Sequence, residues 1–257
     1  MRSFGPSCYL CGNVAYGSDD HVPPEVIFRG VGGRSYKSPE IITVPSCFEH
    51  NEGASEGDEM LAWVMSDASS TTSRVGFDVF QALLAHVIER TYKDRNFADE
   101  RLGRCGMRIL RDSKDYDENG NPKTPAYDAE YERLTEQTLR YRWTILERSL
   151  KKIAAGLFFH ATNGASLGVL ATDKLEVVVP EFKQIGTTIS LAGLDFDEAT
   201  FFSRRLHWQK VVSGSPEVFQ CDIAHQSGSK QFAMKMLFFE SIRVWINSQA
   251  FDRGARP

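Results

Sequence analysis

Cys8, Cys11, Cys47 and His50 stand as two pairs, each spaced by two residues, with Asp19-Asp20-His21 and Pro23-Pro24 in the stretch between them. Zinc takes thiolate sulfur and imidazole nitrogen in a tetrahedron, and a C-x-x-C or C-x-x-H pair closes on one ion from a single tight turn. Two such pairs predict a structural zinc with no open coordination position. The thirty-five residues between Cys11 and Cys47 suffice for a short hairpin but not for a core of their own. Zinc is therefore expected to supply much of that segment's folding energy.

His21 points to a second chemistry. Hydrolysis of a phosphodiester needs an activated water on one side of phosphorus and a Lewis acid that stabilises the leaving oxygen on the other. His21 is the candidate general base. Asp20 beside it and Asn51, directly after the second pair, are the candidate oxygen ligands of a hard cation, Mg²⁺ or Mn²⁺. Strand neighbours point to opposite faces, so Asp19, two residues before His21, is the alternative to Asp20. Without such chemistry, His21 is a polar loop residue, Asn51 a helix cap and the aspartates turn formers.

The motifs Cys8-x-x-Cys11, Asp20-His21-Val22-x-Pro24 and Val44-Pro45-x-Cys47-x-x-His50-Asn51, within residues 7 to 61, resemble the HNH endonucleases of the ββα-metal superfamily. The resemblance implies Cys8, Cys11, Cys47 and His50 as structural zinc ligands, Asp20 and Asn51 on a catalytic Mg²⁺ or Mn²⁺, and His21 as base. It also implies a nucleic-acid substrate, with DNA the expectation, and allows a role in bacterial restriction or anti-phage defence. His50 stands where this subtype has Cys, and Ile42 sits near the place of the motif's middle Asn. A zinc-stabilised binding module with an inactive site is the competing expectation, because zinc ribbons and treble clefs share the paired knuckles.

The chain has 257 residues, 42% hydrophobic and 25% charged, with a net charge of −4, which suits a folded protein rather than one that coats a polyanion. Residues 1 to 60 hold four Lys/Arg against nine Asp/Glu, so the motif-bearing segment is acidic. Positive charge gathers at Arg101, Arg104, Arg108, Arg111 and Lys114, and at Arg140, Arg142, Arg148, Lys151 and Lys152. These runs would hold a polyanion's backbone, or else are solvated faces. No apolar run approaches eighteen residues and none after Arg2 reads as a signal peptide, so the sequence predicts a cytoplasmic protein with no membrane span. Cys105 and Cys221 fall in apolar stretches and read as small buried hydrophobes.

The predicted fold is α+β: a zinc-stabilised ββα-metal module over residues 1–66, then a larger α+β domain over 67–257 that recognises substrate or partner. Gly53 to Ser66 reads as a helix. Val75 to about Phe97 reads as an amphipathic one with Phe77, Phe80, Leu84, Val87, Ile88 and Tyr92 inward. Arg104 to Arg111 fits a short strand or a helical extension, and Asp115 to Lys123 a turn-rich boundary. A long helix is expected from Pro125 to Phe159, with Thr124 as N-cap, a stripe of Tyr131, Leu134, Leu139, Trp143, Leu146, Leu150, Ile153 and Leu157, and a stop at Asn163-Gly164. Strands follow at Leu175–Val179, Val218–His225 and Phe232–Trp245, with a hairpin turn at Gln226–Lys230. His160 and His207 read as core or edge histidines. The aromatic-rich strands fit either a core or an interface with a second copy or an activating partner.

Overall fold

A computed structural model describes residues 7–15, 18–51, 55–93, 129–179, 207–225 and 227–248. Strand β1 (Ser18–Val22) pairs antiparallel with β2 (Ile42–Ser46), placing Asp19 opposite Pro45, Asp20 opposite Val44 and His21 opposite Thr43. Two 3₁₀ turns, Glu25–Phe28 and Val31–Gly33, fill the connection. One turn of helix, α1 (Phe48–Asn51), follows β2 directly. Three longer or later helices come next: α2 (Ser55–Ser69), α3 (Arg74–Lys93) and α4 (Ala129–Ala161), then the short α5 (Val169–Asp173).

Among the described residues, α5 is followed by β3 (Leu175–Val178), β4 (Gln209–Val211), β5 (Phe219–His225), β6 (Phe232–Phe238) and β7 (Ile242–Ser248). They form one sheet in the order β3-β7-β6-β5-β4, every pair antiparallel. The fold is thus mixed α+β with antiparallel sheets. Among the described residues no helix is long and apolar enough to cross a membrane.

Helix α4 is the element on which the rest is assembled. Leu146, Leu150, Ile153, Ala154, Leu157 and Phe158 recur at helical spacing and are buried. Phe158 meets Phe232 of β6 at 5.1 Å between ring centroids. Two residues earlier, Gly156 lies flush on the hairpin: a Cβ there would come within 2.7 Å of a Val22 methyl. The helix ends as its sequence predicts, with Asn163 and Gly164 at positive φ (54° and 108°) and the Gly164 N–H donating to the Phe159 carbonyl at 2.8 Å.

Buried residues from Cys8 to Ile246 make one continuous hydrophobic cluster, and the division expected after residue 66 falls within α2. A loop from the C-terminal sheet joins the two halves. The Ser213 hydroxyl donates to the Val22 carbonyl (2.6 Å) and accepts from the Ile42 N–H (3.0 Å), bridging the two strands where the connection leaves the β1-β2 hairpin. Gly214 donates to the Glu40 carbonyl and Ser215 to that of Tyr36.

Two expectations are corrected. Phe77 is 51% exposed, while Val75, Val79 and Leu83 form the buried side of α3 and Phe80 and Leu84 are half-buried. The stripe is rotated because Gly76 lies close against Ser69 and Phe239, which turns Phe77 outward. The run Phe232–Trp245 is two strands, reversed at Phe239-Glu240. Both residues have positive φ (50° and 58°), a conformation normally given to Asn or Gly, in a three-residue connection that Ser241 completes. Phe239 takes it because its side chain is wholly buried and its N–H donates to the Val218 carbonyl at 2.8 Å. The aromatic strands themselves are core: Phe232, Phe238, Trp245 and Ile246 are all buried. The expectations for 104–111, 115–123, Thr124 and Pro125, the side chains of Val87, Ile88, Tyr92, Tyr131, Leu134, Leu139 and Trp143, Cys105, and the basic positions 101–114, 140 and 142 lie outside the described residues.

Candidate functional site

Each half of the Cys/His cluster is shaped by its own backbone. In the first turn the Cys8 N–H donates to the Asn13 carbonyl and the Gly12 N–H to the Cys8 carbonyl, with Gly12 at φ 76°, a conformation that glycine adopts without strain. In the second, the His50 and Asn51 N–H groups both donate to the Cys47 carbonyl, which opens α1 and brings His50 back beside Cys47. The Tyr9 N–H donates to the Pro45 carbonyl at 2.9 Å and ties the first turn to β2.

The four ligand atoms lie within 4.8 Å of one another. Cys11 Sγ is 3.9 Å from Cys47 Sγ, Cys47 Sγ is 3.1 Å from His50 Nδ1, and Cys8 Sγ is 3.7 Å from His50 Nδ1. Zinc–sulfur bonds of about 2.3 Å at tetrahedral angles put ligand sulfurs about 3.8 Å apart. The group could therefore hold a metal ion, and its spacing and S₃N donor set suit structural zinc. Burial works against a thiolate at Cys8. Donation from the backbone N–H groups of Cys11, Cys47 and Leu10 outweighs it, lowering the pKa to about 6. Cys11 is pushed up to about 11, first by burial and then by its thiol neighbours. The Cys8 thiol is thus biased toward the thiolate form that binds metal, whereas the Cys11 thiol needs the charge of a metal to lose its proton.

Beside the cluster, the regular pleat of β1 sorts its charged residues by face. Asp19 is exposed, and His21 shares its face with 42% of its side chain accessible and Nε2 3.9 Å from Glu25 Oε2. Lys37 pairs with Glu25 in turn, which holds that carboxyl below its usual range. Asn51 donates from Nδ2 to the Asp19 carbonyl at 3.0 Å, so α1 is laced onto β1 where Asp19 and His21 emerge.

Asp20 faces the other way. It is only 3% exposed and accepts the Tyr9 hydroxyl at 2.8 Å on Oδ2, with Lys152 Nζ 3.1 Å from the same oxygen. Lys152 is itself buried and lies 3.2 Å from Asp58 Oδ2. The carboxylate assigned to a cation by resemblance is thus engaged by a lysine, and the carboxylate on His21's face is that of Asp19. Burial pushes Asp58 up to about 6, against the pull of Lys152 and with Asp20 adding to the rise. Burial and the adjacent Asp20 hold the Tyr9 hydroxyl well above its ordinary pKa.

This four-residue network was not apparent from motif spacing. In sequence Lys152 belongs to a basic run, yet it sits between Leu150 and Ile153 on the buried stripe of α4, where a cation requires buried counter-charges. That position was the available signal. Asp58 lies in the first turn of α2, 94 residues from its partner, where no local pattern links the two. Lys151 is half-buried, with Nζ 2.7 Å from Glu147 and donating to the Asp173 carbonyl at 2.9 Å. His160 and His207 are exposed rather than packed in the core, and Cys221 is buried as expected.

Comparison of the chain with family models, with curated proteins and with solved structures gives no match.

Proposed function

We propose that this chain is a metal-dependent endonuclease of the HNH type, with a ββα-metal module held together by structural zinc at Cys8, Cys11, Cys47 and His50. The observation that carries the reading is the bond from Asn51 to the Asp19 carbonyl. It gathers Asn51, Asp19 and His21, which are separated in sequence, beside the Cys/His cluster. In this reading Asp19 and Asn51 hold the cation, and Asp20, to which the resemblance gives that place, anchors the strand from behind. His21 removes a proton from the attacking water as its oxygen bonds to phosphorus and the opposite P–O bond breaks. Bound Mg²⁺ or Mn²⁺ supplies the Lewis acidity that stabilises the departing oxygen. Glu25, with Lys37 behind it, restrains the His21 ring.

A second reading has an observation of its own. The commitment of Asp20 to Tyr9 and Lys152, in a segment with nine acidic against four basic residues, suits a zinc-stabilised binding module without catalysis. Supercoiled-plasmid nicking with Mg²⁺ or Mn²⁺ separates the two. The nuclease reading expects cleavage by the wild type, loss of at least a hundredfold in His21→Ala with an unchanged thermal midpoint, and a similar loss in Asp19→Ala. Absence of cleavage by folded, zinc-loaded wild type would overturn it in favour of the binding module.

A further inference from the structure

We propose that Tyr9, Asp20, Lys152 and Asp58 form a positioning network for the zinc cluster, through which α2 and α4 hold the first Cys-x-x-Cys turn in the geometry that accepts the metal. The inference rests on zinc at Cys8, Cys11, Cys47 and His50 and is independent of whether the chain cleaves nucleic acid.

Tyr9 is the joint. It lies between two ligands in the chain and is wholly buried, and three hydrogen bonds fix it at both ends. Its N–H donates to the Pro45 carbonyl (2.9 Å), its carbonyl accepts from the Ser166 hydroxyl (2.7 Å), and its own hydroxyl donates to Asp20 Oδ2 (2.8 Å). Cys8 and Cys11 cannot separate without moving Tyr9. Tyr9 cannot leave its place without stranding a buried hydroxyl and the carboxylate it serves. Asp20 is in turn fixed by Lys152 at 3.1 Å, and Lys152 by Asp58 at 3.2 Å on Oδ2 and 3.4 Å on Oδ1. A chain of charge-assisted contacts therefore runs from the metal ligands, through β1, to α2 and α4.

The arrangement is one-sided. The second pair, Cys47 and His50, is closed by the first turn of α1, and the first pair by a short loop that Tyr9 additionally ties to this network. Groups that hold metal ligands from behind without touching the ion typically contribute 10–100-fold to metal affinity. The network is placed to act in that way through the backbone of Tyr9 rather than through a bond to a ligand atom.

The test is the rate at which zinc passes from the full-length, zinc-loaded protein to a chelating dye, with zinc content determined by elemental analysis. Tyr9→Phe removes one oxygen and keeps the ring, the fold and all four ligands. It is expected to start with one zinc per chain and release it roughly tenfold faster than wild type. Lys152→Arg, which keeps the charge, is expected to stay within about threefold. Ser66→Ala, which removes a buried hydrogen bond inside α2 at 2.6 Å from the Ala62 carbonyl, is expected to leave the rate unchanged. Release from Tyr9→Phe at the wild-type rate would overturn the proposal. So would equal acceleration in Ser66→Ala, which would make the effect one of general destabilisation. Because the readout is zinc transfer, an inactive wild type in the nicking assay would refute the nuclease reading and leave this result standing.

Discussion

Lys152→Met is the most informative single perturbation of the fold. Lys152 Nζ stands 3.1 Å from Asp20 and 3.2 Å from Asp58, in a site where Asp20 is 3% exposed. At an effective dielectric constant of about 20, each contact is worth about 5 kcal/mol before desolvation is subtracted. Methionine keeps most of the aliphatic stem but leaves two buried carboxylates without a counter-charge. Breaking a buried pair in this way costs about 3–5 kcal/mol. The deficit should also depend on pH. The pKa of Asp58 is raised, mainly by burial, from 3.8 to about 6, so the folded state holds that proton more tightly than the unfolded chain does. Ionising Asp58 therefore costs the fold about 3 kcal/mol above pH 6, and the cost vanishes as pH falls toward 4. Without Lys152 the pKa climbs further, so the variant regains stability at a higher pH than the wild type does. Urea unfolding followed by circular dichroism, with zinc in excess, should show the largest gap between variant and wild type at pH 8 and a smaller one at pH 5.5. Asp58→Asn added to Lys152→Met should recover part of the loss. A gap below 1 kcal/mol, or one identical at both pH values, would refute the account of a buried cation serving two carboxylates.

The remaining expectations concern single contacts. Cys47→Ser should drop zinc well below one per chain under reducing conditions, because it removes the sulfur 3.9 Å from Cys11 and 3.1 Å from His50; retention of stoichiometric zinc would show that the four residues are not one site. Ser213→Ala leaves the Val22 carbonyl and the Ile42 N–H unpaired at a buried hairpin end, which should cost about 1–3 kcal/mol in urea unfolding, and a neutral result would mean that water replaces the hydroxyl. Gly156→Ala drives a methyl into Val22 where α4 meets β1, and a loss of about 1–3 kcal/mol is expected from the same assay; a thermal midpoint at or above that of wild type would contradict this tight packing.

Much was legible in the sequence where the interacting residues are close in the chain. The Cys/His pairs announce a metal site because each pair closes from its own turn, and local hydrogen bonds at Cys8–Gly12 and Cys47–Asn51 make those turns. The long helix, its stop at Asn163-Gly164 and the hairpin at Gly228 follow from periodicity and from backbone conformations that glycine and asparagine tolerate. Phe239-Glu240 was illegible, because its residue types do not ask for positive φ and only burial of the phenylalanine enforces it. The choice between Asp19 and Asp20 was open for a related reason. Alternation states that they face opposite ways, but which face is buried depends on what lies behind the strand.

What the linear order determined, then, is the set of groups able to do chemistry: a Cys/His group that could hold a metal ion, a histidine, and acids on either side of a strand. Tertiary structure decided which of them are buried and what they touch. Lys152 reaches Asp58 across 94 residues and Ser213 reaches Val22 across 191, and both contacts exist because α4 and the C-terminal sheet bury the back of the hairpin. A charge in water needs no particular partner, whereas a charge removed from water must find one; that need turned Asp20 inward to Lys152 and left Asp19 and His21 facing out.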